Sequence, residues 1–353
     1  MFFLKAKKEK TFMEREIYAQ PKILNDILSC YVKDGNINID VPQGIEKVIL
    51  VASGSSYNCA RFSADLFDKI ANIEAGAIYS SEFLLKTNIP QSKNLLYVFI
   101  TQSGETSDTN KALMKAKEFN LKTLCITNAE NSSIWKLADY QINCHAGEEK
   151  SIAATKSLTA QMLCTTLLVL KYANLRGIDI SYYLKDLFEL SNAVNSALEL
   201  REKIHKYAKV LLSYKNIVVS ADGIAYALAR EASLKMKETT YLNITSYFLG
   251  EFMHGHVAVL NEKSALIYLT TGDLNYTSTK NMNKIKKDYK PFIFLIGNTN
   301  DKINANININ INTESWLVKS FALITIMQLF ALEMANRLHH NVDKPRGLEK
   351  VVQ

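Results

Sequence analysis

Continuous apolar runs alternate with amphipathic stretches along the first half of the chain. The runs at 47–53 (KVILVAS), 94–101 (NLLYVFIT) and 122–128 (KTLCITN) each end in small polar residues. The stretches at 56–71 and 106–119 between them have the spacing of helices. Continuous strands joined by helices are typical of a parallel sheet that is covered on both faces.

The second half of the chain repeats this plan. The segment 215–223 (KNIVVSADG) resembles 47–54 (KVILVASG), and 265–271 (ALIYLTT) resembles the run that ends at Thr101. Three landmark pairs are each 169 positions apart: Gly54 and Gly223, Glu82 and Glu251, Thr101 and Thr270. A constant spacing through several landmarks indicates an internal repeat.

The repeat predicts an α/β fold of two tandem doubly wound parallel-sheet domains. The alternating segment 303–311 (INANININI) is predicted to be the last strand of the second sheet. The expected divisions are an N-terminal arm at 1–45, a first domain at 46–183, a helical connector at 184–209, a second domain at 210–340 and a C-terminal tail at 341–353.

The charge pattern argues against a nucleic-acid partner. Lys and Arg number 42 against 35 Asp and Glu, a net charge of +7, and no basic run is interleaved with aromatic residues. A mild positive balance suits a small anionic substrate.

No segment has the pattern of a membrane span or a secretory signal. The apolar stretch 158–173 is short and contains Gln161, and the stretch 316–335 is interrupted by polar residues. Both are predicted to be buried helices. The five cysteines form no Cys-x-x-Cys pair, which indicates reduced thiols and a cytoplasmic protein.

Hydroxyl side chains are concentrated in two loops that follow the first-domain strands. The loops are 53–58 (SGSSYN) and 101–109 (TQSGETSDT). Ligands of such sheets bind outside the carboxyl ends of the strands, where helix N-termini offer free N–H groups. Capping needs only one hydroxyl per helix, so we expect these loops to bind a phosphate. The equivalent second-domain loops carry Asp222 and Asp273, whose carboxylates would repel one.

Several motifs resemble those of the sugar isomerase (SIS) domain family. They are 52–58 (ASGSSYN), 101–109 (TQSGETSDT) and 151–161 (SIAATKSLTAQ). The chain is similar to the isomerase half of glucosamine-6-phosphate synthase and to stand-alone deaminases, isomerases and fructoselysine-6-phosphate deglycases. The resemblance extends from 13–21 to 343–351 and implies tandem domains of flavodoxin-like topology.

The resemblance implies a sugar 6-phosphate as the substrate. It places the phosphate on hydroxyl and amide side chains of the first domain, and the sugar hydroxyls on the backbone of the IAATK segment. The residues implied are Ser55, Ser56, Thr101, Gln102, Ser103 and Thr106 for the phosphate, with Ala153 and Ala154 for the sugar.

The resemblance also implies the catalytic residues. Glu238 would move a proton between C1 and C2, tuned by Lys237 or Lys235. His254 would open the sugar ring, reaching across a homodimer interface into the partner's site. Lys350, in the tail, would meet the ketose carbonyl or the enediolate.

The chain departs from the family pattern at several positions. His256 stands where the family usually has Pro, and Ala154 stands where it usually has Ser. Ser220, Ala221 and Asp222 replace a Gly-Arg-Gly segment, which removes an arginine. The pair His254 and His256 has no further ligand nearby in the sequence, so neither a metal nor a cofactor is expected.

Three functions remain open at this stage. The sequence shows no glutaminase domain, so the expected direction is breakdown: glucosamine 6-phosphate, or a close analogue, would give fructose 6-phosphate and ammonia. A deglycase acting on a fructoselysine-type 6-phosphate would use the same groups. A non-catalytic phosphosugar sensor is the third possibility. The sugar's stereochemistry, its amine substituent and any allosteric control are not readable from the sequence.

Overall fold

The computed structural model of the chain describes residues 10–272, 274–300 and 302–350. Two five-stranded parallel sheets and one antiparallel ribbon, β1 (Val32–Lys33) with β2 (Asn36–Ile37), make up its strands. The first sheet contains β3 (Lys47–Ala52), β4 (Glu74–Tyr79), β5 (Leu95–Ile100), β6 (Lys122–Thr127) and β7 (Tyr140–Asn143). The second contains β8 (Asn216–Ala221), β9 (Ile244–Phe248), β10 (Ser264–Leu269), β11 (Phe292–Ile296) and β12 (Ile307–Ile309).

Helices cover both faces of each sheet. Those up to the connector are α1 (Phe12–Tyr31), α2 (Gly54–Leu66), α3 (Ser80–Leu85), α4 (Ser107–Glu118), α5 (Ser133–Leu137), α6 (Lys156–Leu175), α7 (Ser181–Phe188), α8 (Leu190–Glu199) and α9 (Arg201–Leu211). The later ones are α10 (Ala225–Thr240), α11 (Leu249–Phe252), α12 (Tyr276–Asp288) and α13 (Trp316–Arg337). A π-helical turn at Phe67–Ala71 extends α2, and a short 3-10 helix lies at His256–Val259.

Both sheets have the same strand order. The first runs β4-β3-β5-β6-β7, and the second runs β9-β8-β10-β11-β12. The order reverses direction between β3 and β5, and again between β8 and β10. Doubly wound sheets bind their ligands at this switch point, outside the carboxyl ends of the strands. In the first domain, the two hydroxyl loops follow β3 and β5.

The internal repeat predicted from the sequence is confirmed by the element bounds. Strands β3 and β8 begin and end 169 positions apart, as do β5 and β10. Each of these strands is buried along most of its length, as a parallel strand covered on both faces should be.

The last strand is shorter than the alternating segment 303–311 suggested. Only Ile307–Ile309 pairs with β11. Just before it, the Asn306 side-chain oxygen accepts a 2.9 Å hydrogen bond from the backbone N–H of Ile293. This side-chain bond takes the place of a ladder bond.

The two long apolar helices are buried, as predicted. Helix α6 and helix α13 lie in the main hydrophobic core. Within the described residues, α13 alone is long and apolar enough to cross a membrane, and its apolar window is fully buried inside the protein.

Helix α10 brings the second domain to the first-domain loops. It packs on α13 and β8 within its own domain and on α2 across the domain boundary. Helices α8 and α9 of the connector pack on α13, where buried Glu333 pairs with Arg201 at 2.9 Å and contacts His205 at 2.7 Å. The two domains thus form a continuous core around α10 and α13.

Candidate active site

A polar cleft lies at the switch point of the first sheet. Its volume of about 190 Å³ is below the range of roughly 300–1,000 Å³ that is usual for drug-sized ligands, and it suits a small polar molecule. The lining residues are Ser53, Gly54, Ser55, Ser56, Ile100, Thr101, Gln102, Ser103, Thr106, Thr109, Ile152, Ala154, Glu238 and Lys350.

The N-terminus of α2 forms one wall of the cleft. Gly54 begins the helix at φ +56°, a left-handed conformation that glycine adopts without strain. The N-cap residue Ser53 makes no side-chain capping bond. Ser55 Oγ donates to Glu231 at 2.8 Å and Ser56 Oγ donates to Gln161 at 3.0 Å, both away from the helix end. The N–H groups of the first turn therefore remain available for a ligand.

The loop after β5 forms the opposite wall. Thr106 is the N-cap residue of α4, but its side chain makes no capping bond. Its hydroxyl instead lies 2.9 Å from that of Thr101. Ser103 Oγ accepts a 3.1 Å bond from the backbone N–H of Glu105 and remains free to donate its own proton. The alternative that these hydroxyls serve as helix caps therefore does not describe the loop.

Gly104 holds this loop against the neighbouring one. It has φ +70°, and a Cβ at this position would lie 2.1 Å from Ser132 Oγ. The carbonyl of Gly104 accepts a bond from Asn110 Nδ2 at 3.1 Å. The tight turn therefore needs glycine both for its backbone angle and for its packing.

In the described part of the equivalent second-domain loops, three polar side chains make internal contacts. Asn275, the N-cap residue of α12, accepts a capping bond from Ser278 N at 2.8 Å. Thr270 Oγ1 bonds to the backbone of Gly272. Asp222, where Ser53 stands in the first domain, accepts a 3.0 Å bond from Tyr268. Asp273 lies outside the described residues.

Three charged residues of α10 form a row of ion pairs next to the cleft. Lys235 Nζ is 2.8 Å from Glu238 Oε2 and 3.5 Å from Glu231 Oε1. Burial disfavours the charged lysine, but the two carboxylates outweigh it and raise the pKa of Lys235. Burial raises the pKa of Glu231, although Lys235 opposes this. Of the three residues, Glu238 lines the cleft.

Lys350 enters the cleft from the C-terminal tail. Its ammonium lies 2.7 Å from Glu149 Oε2 and donates to the carbonyl of Ser151 at 2.7 Å. Glu149 is fully buried and also accepts bonds from the backbone and hydroxyl of Ser157. Burial favours the neutral acid, but Lys350 and these donors hold the pKa of Glu149 below its usual value.

Asp343 ties the tail to two other segments. Its carboxylate accepts hydrogen bonds from the backbone of Phe12 and Met13 at the start of α1. Its carbonyl accepts a 3.0 Å bond from Ile152, which lines the cleft. The tail, the N-terminal helix and the loop beside the cleft are therefore fixed together.

Not every residue implied by the family resemblance lies at the cleft of this chain. Ala153 is buried behind the lining, and its carbonyl accepts a bond from Ser151 Oγ. Lys237 is exposed and lines a different cleft, so Lys235 is the lysine that contacts Glu238. His254 is exposed on the second domain and is absent from the cleft lining, and His256 stacks on Tyr247.

Comparison with known proteins identifies the family. A family model described as the SIS domain matches residues 44–171 and 210–335, one copy in each half of the repeat. The chain belongs to the SIS domain family.

The SIS chain is similar to curated aminotransferases over nearly all of its length. It is 34% identical over 355 residues to the glutamine–fructose-6-phosphate aminotransferase (isomerizing) of Campylobacter jejuni, covering 98% of this chain and 59% of that protein. The corresponding Helicobacter pylori protein is 30% identical over 351 residues, with 97% and 59% covered. The chain thus spans about 59% of the length of these relatives.

Solved structures share the tandem SIS fold. The C-terminal domain of glucosamine-fructose-6-phosphate aminotransferase from Francisella tularensis has a TM-score of 0.89 at 24% identity, with 96% of this chain and 99% of that chain covered. Glucosamine-6-phosphate deaminase from Thermotoga maritima has a TM-score of 0.79 at 20% identity, with 97% and 99% covered. At these identities the likeness establishes the fold.

Sequence reasoning missed the buried partners of the site. Glu149 precedes the recognised SIAATK motif by two residues, and Glu231 lies seven residues, or two helical turns, before Glu238. The helical spacing was readable and would have placed Glu231 on the same face as Lys235 and Glu238. Nothing in the sequence pairs Glu149 with Lys350, because 201 positions separate them.

Proposed function

We propose that the cleft is the active site of a phosphosugar isomerase that acts on an amino-sugar 6-phosphate. The favoured reaction converts glucosamine 6-phosphate to fructose 6-phosphate and ammonia. One observation carries the proposal: a phosphate-sized cradle of uncapped helix ends, a carboxylate and an ammonium all line a single cleft. The names of the similar aminotransferases and of the Thermotoga maritima deaminase support the same substrate class.

The cradle binds the phosphate through donors rather than through a lysine. The free N–H groups of α2 and α4 point their partial positive charge at the cleft, and the hydroxyls of Ser103 and Thr106 supplement them. In the second domain, Asp222 stands at the equivalent point, and the hydroxyl of Thr270 bonds to the backbone of Gly272. The difference explains why one domain of the repeat binds phosphate and the other does not.

Glu238 transfers the proton. In the open-chain amino aldose, its carboxylate takes the proton from C2, and the electrons move through the C1–C2 bond to the C1 oxygen. The protonated carboxyl group, which can exchange its proton with solvent, then delivers a proton to C1 and leaves an imine at C2. Water adds to this imine, and ammonia leaves to give the ketose. Lys235, 2.8 Å away, holds the Glu238 carboxylate in position for both transfers through their ion pair.

Lys350 stabilises the negative charge that develops on the sugar oxygen. Glu149 and the carbonyl of Ser151 hold its ammonium at the cleft, so the charge is in place before the reaction begins. His254 opens the sugar ring in this proposal, and it does so in the cleft of a partner copy, because in its own chain it is exposed and does not line the cleft.

The test is a substrate panel with purified protein. Glucosamine 6-phosphate is incubated with the enzyme, and ammonia and fructose 6-phosphate are measured together. Equal amounts of the two products support the proposal. Release of an amino acid from a fructosamine 6-phosphate, without turnover of glucosamine 6-phosphate, would establish a deglycase instead. Binding without turnover of any phosphosugar would establish a sensor.

A further inference from the structure

A second polar cleft lies beside the active site. Its lining residues are Gly54, Tyr57, Asn58, Tyr79, Arg230, Ser233, Leu234, Lys237, Thr245, Ser246 and Tyr247, and we call it the Arg230 cleft. Gly54 lines both clefts. One stripe of α10, containing Arg230 and Lys237, faces this cleft, while the adjacent stripe carries Glu231 and Glu238.

Arg230 is held in place by first-domain side chains. Its Nη2 donates to the hydroxyl of Tyr79 at 2.6 Å, and its Nε donates to Asn58 Oδ1 at 3.3 Å. The guanidinium carbon lies 5.5 Å from the centroid of the Tyr57 ring, which stacks on Tyr79 with 3.7 Å between centroids. A fixed guanidinium loses little freedom when it binds a ligand.

Neither cation of this cleft is neutralised within the described chain. No described carboxylate lies within 4.0 Å of the guanidinium of Arg230 or of the ammonium of Lys237. Glu231 lies on the neighbouring stripe, but its oxygens bond to Ser55 and Asn58. Two positive charges therefore face one polar cleft.

The internal repeat supplies a natural control for this arrangement. The cleft at the equivalent place in the other half is lined by Arg61, Asp65 and Asp68, among others. Arg61 is the repeat counterpart of Arg230, and Asp68 is that of Lys237, each 169 positions away. There Arg61 pairs with Asp65 at 3.7 Å. The same architecture is thus neutralised in one half and left cationic in the other.

We propose that the Arg230 cleft binds the carboxylate of a small molecule next to the substrate. The carboxylate has two sources: a substituent on the amine of the phosphosugar, or a separate carboxylate metabolite that binds beside it. The first source rests on the proposed function, because it requires the phosphosugar in the neighbouring cleft. Arg230 and Lys237 supply the two positive charges, and Ser246 lines the same space.

The first arm of the test compares two substrates of matched shape. They are N-carboxymethylglucosamine 6-phosphate and its uncharged N-carbamoylmethyl analogue, which carry the substituent on the amine of the proposed substrate. For the substituent source, the wild-type protein has a kcat/KM about tenfold higher for the carboxylate, and Lys237→Gln or Arg230→Gln removes this preference. Lys263→Gln, which removes an exposed lysine elsewhere, retains it.

The second arm measures binding of succinate by calorimetry, without any phosphosugar. For the separate-metabolite source, succinate binds the wild-type protein and Lys263→Gln, and binds Lys237→Gln at least about tenfold more weakly. The side chain of Lys237 is exposed, so this variant folds even if Arg230→Gln does not. Absence of both the substrate preference and succinate binding would overturn the proposal. Loss of all phosphosugar turnover would instead contradict the proposed function. Succinate binding would still show whether the Arg230 cleft binds a carboxylate.

Discussion

Lys235 Nζ lies 2.8 Å from Glu238 Oε2, and the lysine side chain is only 1% exposed while the glutamate is 21% exposed. The lysine is therefore buried in the protein, and the glutamate reaches the cleft. The sequence left Lys235 and Lys237 as alternatives for this role, because both lie within one turn of Glu238. Burial distinguishes them: helix position places Lys235 inward and Lys237 at the surface.

Replacing the buried lysine should misplace the carboxylate of the base. In Lys235→Met, Glu238 loses the ammonium that holds it at 2.8 Å, so kcat for a phosphosugar should fall by about 10- to 100-fold with little change in KM. Breaking a buried pair also lowers stability by about 3–5 kcal/mol. The measurements are kcat and KM for the phosphosugar and the free energy of unfolding by denaturant.

The double variant Glu231→Gln/Lys235→Met separates the two effects. It removes both buried charges, so we expect it to be more stable than Lys235→Met alone. Lys263→Met serves as the surface control, with unchanged kcat and stability. An unchanged kcat in a folded Lys235→Met protein would refute the positioning role of Lys235.

Phosphate binding and helix capping predict opposite effects at two N-cap residues. Thr106→Val removes a cleft hydroxyl, so KM for a sugar 6-phosphate should rise about 10- to 100-fold, while Thr106→Ser retains it. Asn275→Ala removes an actual capping bond and should lower stability by about 1 kcal/mol with KM unchanged. Steady-state kinetics and thermal unfolding report the two quantities. If Thr106→Val destabilises the protein without changing KM, the hydroxyl is a cap after all.

The pair of Glu149 and Lys350 makes part of the stability depend on pH. The folded pKa of Glu149 lies below its unfolded value. Its contribution is therefore complete above the unfolded pKa and is lost as the pH falls through the folded one. In Glu149→Gln, the free energy of unfolding at neutral pH should fall by about 1–3 kcal/mol. On acidification, the free energy of unfolding of this variant should decrease less than that of the wild-type protein.

The matched control for this pair is the neighbouring exposed carboxylate. Glu148 lies 3.6 Å from Lys150 at the surface, an interaction worth less than about 1 kcal/mol. We therefore expect Glu148→Gln to follow the wild-type melting temperature from pH 3 to pH 7. Parallel curves for wild-type and Glu149→Gln would contradict the assigned role of Glu149.

Thiol chemistry should distinguish one cysteine from the others. Cys30 is exposed, whereas burial raises the pKa of Cys59 and of Cys125 to about 12. A disulfide reagent at pH 8 should modify one thiol rapidly in the native protein and all five after unfolding. Cys30→Ser should abolish the rapid phase. Rapid modification of two or more thiols in the folded protein would contradict the burial.

The fold was largely predictable because its signals are local or periodic. The continuous strands at β3, β5 and β6 and the constant repeat spacing required two parallel sheets, and the structure confirms both. The sequence predicted a last strand that is too long, because alternating Ile and Asn residues satisfy the strand pattern on both sides of Asn306. Only the contact between Asn306 and Ile293 shows where pairing begins.

The lining of the candidate site was predictable where its residues form compact motifs. The hydroxyl loops, Glu238 and Lys350 line one cleft, and their roles there stay predictions. The partners of these residues were not predictable. Glu149 meets Lys350 only through the folded path of the tail, and the charge difference between the Arg230 cleft and its repeat counterpart emerges only when the halves are compared in space.

The most direct test of the account follows the hydrogen at C2 of glucosamine 6-phosphate by proton NMR in D₂O. The wild-type protein is predicted to form fructose 6-phosphate and to exchange substrate hydrogen with solvent at C1 or C2. Glu238→Gln is predicted to bind the phosphosugar but to lose about 10²- to 10⁴-fold in both rates. Turnover and exchange at wild-type rates in Glu238→Gln would contradict the central claim that this carboxylate moves the proton.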